Sequence, residues 1–217
     1  MKKYFIRADK HFTLIRGPIR NQIDALNNII RVTQYINVHP YEKISCQPAE
    51  ADIVIWVDKM SRIFFNNNNQ IHCLYYPFTI EENEILQFYC LRQKLDGRSL
   101  NIMLALLNQF DFMQKSIDNM LDCFCETIDE FSELNQTETD IHFYWNLFIH
   151  LVTQESGYLR YDHDETRATK FHPINHIDFF YSNANTFKVG LNTTISWQEL
   201  KELVDVNDVC YGLHKPF

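Results

Sequence analysis

The spacing of apolar residues changes twice along this chain, from an alternation of two to the helical repeat and back, and that restricts it to folds that segregate strands from helices. Residues 51–57, 61–65 and 70–77 are β-branched and aromatic. Asn66 to Asn69 lie between the second and third runs, and asparagine readily accepts left-handed turn angles. These runs predict an antiparallel meander. At Thr79 the character changes: Thr79-x-x-Glu82 has the form of a capping box, and the chain to Glu133 is free of Pro with Gly97 its one glycine. Leu86, Cys90 and Leu95 form one apolar face, Leu100, Met103, Leu104 and Leu107 a second, and Ile117, Met120, Leu121, Phe124 and Ile128 a third, which predicts two or three helices. A polar break at Asn135 to Thr139 precedes a further helix over Ile141 to Val152.

From Gly157 the alternation returns, with strands expected at 158–162, 175–181 and 186–189 and loops at 165–169 and 182–185. Ser196-x-x-Glu199 is a second capping box, opening a last helix near 197–205. At the other end, Lys3 to Ile15 suggests a hairpin or extended arm. Gly17-Pro18 then introduces a helix near 19–36, with Ile19, Ile23, Leu26 and Ile30 at helical spacing. No repeat and no linker interrupts the chain. The expectation is one α+β domain over 1–217, an antiparallel sheet built from N-terminal and C-terminal strands and packed against a central helical segment of about 79–154.

Composition narrows the class further. With 217 residues, 46% hydrophobic, 17 Phe and 11 Tyr against 5 Gly and 6 Pro, the chain can build a real core and is neither disordered nor collagen-like. The six cysteines are scattered, and the one close pair, Cys123 and Cys125, is C-x-C rather than the C-x-x-C of zinc knuckles and redox loops. Arg7, Asp9 and Lys10 break up the start before it reaches the apolar length of a secretory leader, and the run Ile102 to Leu107 is far too short to span a bilayer. The expected setting is cytoplasmic and reducing.

Charge is uneven. Residues 1–43 carry eight Lys/Arg against three acids, whereas residues 110–150 carry Lys115 against nine, within a formal net charge of −8. The basic N-terminal segment offers nucleic acid a place to approach, although it holds no Lys/Arg block. The acidic stretch from Asp111 to Asp140 repels a polyanion and suits a protein partner instead.

The densest polar cluster is in the last third: Arg160, Asp162, His163, Asp164, Lys170, His172, His176, Asp178 and Lys188. On a strand His176 and Asp178 share a face, their Cα atoms about 6–7 Å apart, while Ile177, Phe179 and Tyr181 point to the core. Such a pair can ligate a divalent cation, or the acid can orient the imidazole as a base. His172 is a poorer third ligand, because four extended residues span about 13 Å, unless Pro173 bends the chain back. A hairpin turning near Arg167 would bring Asp162-His163-Asp164 alongside. Candidate catalytic groups are thus His176, Asp178, Lys188 and His172, with Arg160, Asp162, His163 and Asp164 as binding groups; a metal, if held, falls to His176, Asp178 and His172. The alternative is an acidic hairpin with a satisfied histidine. No G-x-S-x-G, Walker loop, G-x-G-x-x-G or H-E-x-x-H occurs. His150, Cys123 and Cys125 sit in helical, apolar surroundings that suit structural residues.

The order of Tyr161-Asp162-His163-Asp164, His172-Pro173-Ile174-Asn175-His176-Ile177-Asp178, Thr186 to Leu191 and Ile195 to Val204 resembles the C-terminal part of an uncharacterised bacterial domain-of-unknown-function family, over about the last 60 residues. By that resemblance His172, Pro173 and His176 match the family pattern and Lys188 its basic position, while Asp178 stands where a hydroxyl residue is expected. The resemblance implies bacterial intracellular proteins that accompany mobile or phage-defence genes, with no activity attached. Two functions follow as expectations: an interaction subunit that binds a protein partner through its acidic helical segment, and a metal-dependent or His/Asp hydrolase, with nucleic acid among its substrates, working from the 160–188 strands.

Overall fold

The computed structural model describes the chain except residues 1, 9–17, 58–59, 68, 84, 111–115, 132–136, 182–187, 206 and 209–217. In chain order the elements are β1 (Lys2–Ile6), α1 (Gln22–Val38), the single turn α2 (Tyr41–Ile44), β2 (Ile53–Val57), β3 (Ser61–Asn67), β4 (Gln70–Tyr75), β5 (Thr79–Glu82), β6 (Leu86–Cys90) and β7 (Gln93–Lys94). Then follow α3 (Gly97–Gln109), α4 (Ile117–Glu130), α5 (Glu138–Thr153), β8 (Leu159–His163), β9 (Asn175–Asp178), β10 (Lys188–Leu191) and α6 (Trp197–Glu202). The chain divides into two compact units, one of residues 1–8, 45–76 and 157–217, the other of residues 9–44 and 77–156.

The first unit is a seven-stranded antiparallel sheet in the order β1-β2-β3-β4-β8-β9-β10, so N-terminal and C-terminal strands do share one sheet and the class is α+β. One face carries Val54, Trp56, Phe64, Ile71, Cys73, Tyr161 and Ile177, on which α6 lays Trp197 and Leu200. Ser196 caps α6 through a reciprocal box with Glu199, as its spacing predicts. The Trp197 ring stands 5.7 Å from Phe5 and 6.1 Å from Phe64, and its indole N–H donates to the Pro48 carbonyl. Cys73 in this layer has its thiol pushed up to about 12 by burial, which suits an inert packing residue.

The second unit contains α1, α3, α4 and α5 with a small sheet β5-β6-β7. Here the structure corrects the expectation of a helical segment beginning at Thr79. Residues 79–94 form three strands, and the helices start at Gly97 under a reciprocal cap from Asp96 and Ser99. The reason lies in Leu86, Phe88 and Cys90: all three are buried with Gln87 and Tyr89 half-buried between them, a period of two that an apolar pair at i, i+4 also fits. Leu91 and Arg92 both take positive φ (51° and 66°), the geometry of a tight hairpin turn, and close β6 onto β7. Thr79, expected as a cap, donates its hydroxyl to the Tyr89 carbonyl across the strands.

Other boundaries move for similarly local reasons. Helix α1 starts at Gln22, not 19, because the Asn21 side chain accepts from the Asp24 N–H and fixes the cap there. Asn66 and Asn67 belong to β3, paired with Ile71 and Gln70, so the turn is shorter than the asparagine run. Strand β9 ends at Asp178 rather than 181, and α6 ends at Glu202 rather than 205. The first arm contributes β1, paired with β2; its continuation to Ile15 and the Thr186-Phe187 part of the last strand lie outside the described residues.

Candidate functional site

The site follows from strand register. Arg160 pairs with Asp178 and Asp162 with His176 between β8 and β9, and Lys188 pairs with Asp178 and Gly190 with His176 between β9 and β10. Because every second side chain shares a face, Arg160, Asp162, His176, Asp178 and Lys188 meet on the face opposite Tyr161 and Ile177. Gln70 on β4, opposite Asp162, completes the row.

Each inward charge has partners of opposite sign. The Arg160 guanidinium donates from Nε to Asp162 Oδ2 at 2.8 Å and from Nη2 to Asp178 Oδ2 at 2.5 Å, and its Nη2 also makes an ion pair with Asp162 Oδ2 at 2.7 Å. The Lys188 ammonium donates to Asp178 Oδ1 and Oδ2 at 2.7 and 3.0 Å, and Gln70 Nε2 donates to Asp162 Oδ1 at 2.6 Å. All four carboxylate oxygens therefore accept a hydrogen bond, and two anions face two cations. Such complete pairing is what permits charged groups to be buried at all.

His176 sits at the centre and is 0% exposed. Its Nδ1 lies 2.8 Å from the Pro173 carbonyl, which can only accept, so Nδ1 carries the proton. Nε2 then presents its lone pair to the Lys188 ammonium at 3.1 Å, with Asp162 Oδ2 at 3.4 Å and Asp178 Oδ2 at 4.0 Å. Burial, with the Lys188 charge in support, pushes the imidazole below its ordinary pKa and keeps it neutral. Pro173 is held over β10 by a close approach to Gly190, where a Cβ would meet the proline ring at 2.9 Å.

Sequence reasoning placed His176 and Asp178 on one face, and they are there. That face is not open to water, however: Asp178 is 2% exposed and His176 fully covered, because two cations drawn in to the carboxylates close the space beside them. The turn near Arg167 does bring the acidic triplet across, but alongside His176 and Asn175 rather than His172. Asp162 thus replaces His172 in the three-donor set with His176 and Asp178, whose ligand atoms all lie within 4.8 Å of one another. His172 instead sets its ring edge-on against His176, centroids 4.5 Å apart.

His163 and Asp164 lie apart from this set. His163 bonds Asn175 Oδ1 through Nδ1 at 2.8 Å on the opposite face. Asp164 accepts from the Thr166 hydroxyl and from the backbone and side chain of Arg167; these bonds, the Thr166 hydroxyl first, hold it well below the usual carboxylate range and shape the turn. Gln70 and the Pro173 carbonyl were missed, since neither residue type signals a site and only the β4–β8 register and the loop bend recruit them.

The basic N-terminal residues are divided between the two units. Arg7 pairs with Glu50 at 2.7 Å, and Lys3 lies over the Trp56 ring at 3.9 Å. Helix α4 has the opposite character, with Asp118, Asp122, Glu126, Asp129 and Glu130 and no Lys or Arg. It buries Cys123, Phe124, Thr127 and Ile128 yet leaves Ile117 78% and Leu121 47% exposed one turn apart, with Cys125 exposed on the next. Among the described residues no helix is long and apolar enough to cross a membrane.

No family model matches the chain, and no match was found among the curated proteins or the solved structures.

Proposed function

We propose that this protein is an interaction subunit that binds a basic, amphipathic segment of a partner protein through α4. The observation that carries the reading is the exposed stripe Ile117, Leu121 and Cys125, set among five acids with no basic residue. Covering Ile117, 78% exposed, is worth roughly 1–2 kcal/mol and covering the half-exposed Leu121 roughly 1 kcal/mol, while exposed ion pairs around them add about 0.2–1 kcal/mol apiece. Apolar contact therefore supplies the affinity, and the acids steer the partner and select its charge.

The alternative, a metal-dependent or His/Asp hydrolase working from β8 to β10, draws on the three donors within 4.8 Å. With Lys188 seated on Asp178, the burial of His176 and the full pairing of both carboxylates leave no acid or imidazole free to act on a substrate there, so the interaction reading is preferred.

The test uses a Leu/Lys peptide of amphipathic helical pattern, a scrambled peptide of the same composition, and fluorescence anisotropy. The amphipathic peptide is expected to bind more tightly than its scramble. Ile117→Ser with Leu121→Ser, which keeps every charge, is expected to weaken it by about tenfold or more, since about 1.4 kcal/mol already makes a factor of ten. Equal binding of the two peptides, indifference to the double substitution, or occupation of this stripe by a second copy of the chain in light scattering would each overturn the proposal.

A further inference from the structure

The interior of the β8–β10 cluster has the form of a cation site with its cation supplied by the chain. Asp162, His176 and Asp178 turn three donors toward one point. The Pro173 carbonyl fixes the His176 proton on Nδ1 and leaves Nε2 facing inward, the arrangement in which a backbone acceptor orients a metal-binding imidazole. In that position the Lys188 ammonium touches Nε2 and both oxygens of Asp178. Lys188 comes from β10, at the end of the sheet order, and its side chain is 24% exposed on a flexible stem, so the ammonium has a short route to water.

We infer that Asp162, His176 and Asp178 form a binding site for one borderline divalent cation, of the Zn²⁺ or Mn²⁺ type, which the Lys188 ammonium occupies and holds shut until the lysine swings out. Two carboxylates and one imidazole suit that class of ion. Charge explains why the native chain binds it weakly. With Lys188 in place, the two carboxylates balance Lys188 and Arg160; a divalent ion in place of the ammonium leaves one positive charge in excess, because Arg160 stays on both Oδ2 atoms. Replacing Lys188 by a neutral side chain removes the competitor and leaves the site anionic.

The experiment titrates Co²⁺, whose visible bands report its ligands, into a Cys125→Ser chain with and without Lys188→Met. The expected result is one Co²⁺ per chain. The Lys188→Met chain should bind about 10- to 100-fold more tightly, the range for deleting one contacting positive charge in a partly wet site, and His176→Gln should abolish the gain. Affinity unchanged by Lys188→Met, or a gain that persists with His176→Gln, overturns the inference. The unmodified chain gives a second test if the variants fail to fold. Mn²⁺ at millimolar concentration should broaden the His176 ring resonances first, whereas broadening centred on the acids of α4 would contradict the site.

Discussion

Replacing Arg160 with methionine should cost about 3–5 kcal/mol of folding stability, the range for removing one partner of a buried ion pair. The guanidinium bridges Asp162 and Asp178 from Nε and Nη2, and Asp178 has almost no water to fall back on. Without it, Lys188 alone faces two carboxylates. Methionine keeps much of the side-chain volume, so lost charge rather than lost packing dominates the effect. Urea unfolding followed by far-UV circular dichroism measures it. Arg160→Lys should recover only part of the loss, because one ammonium cannot reproduce the planar fork that spans two acids. A loss below about 1 kcal/mol, the value typical of exposed pairs, would mean that the cluster is solvated and that its burial has been misjudged.

The second large effect is expected on the other face of the same sheet. Trp197→Ala should destabilise the fold by about 3–5 kcal/mol through the cavity it leaves. Helix α6 is only six residues long, too short to persist on intrinsic propensity, and two of those residues, Trp197 and Leu200, anchor it on the strands. Losing the indole also strips the Pro48 carbonyl of its donor. The same urea measurement applies, with a fall in helical signal. Leu203→Ala, at a half-exposed position just past the helix, serves as the control and should change stability by no more than about 0.5 kcal/mol.

These expectations rest on different depths of legibility. The meander from Ile53 to Tyr75 was readable because β-branched runs and an asparagine turn agree locally, and the capping box at Ser196 because a cap is a local device. The shared face of His176 and Asp178 follows from strand period alone. What failed was local pattern with two solutions: Leu86 and Cys90 satisfy both a helix and a strand, and tertiary burial chose the strand. Pairing across strands was beyond the sequence altogether. Asp162 joins His176 only because β8 meets β9 in one register, and Gln70 reaches Asp162 across the excursion of residues 77–156. A shift of one residue in either ladder would send those side chains to the opposite face. Burial of the cluster is likewise a property of the assembled charges, since a His and an Asp two apart read as an exposed pair until two cations from neighbouring strands meet them.

The arrangement around His176 can be tested in one measurement, long-range ¹⁵N–¹H correlation of its imidazole ring in the native chain near neutral pH. The account predicts a neutral ring with the proton on Nδ1 and an unprotonated Nε2 that accepts a hydrogen bond from Lys188. A proton on Nε2, alone or together with one on Nδ1, would contradict it, because neither the ammonium contact nor the inward lone pair could then exist.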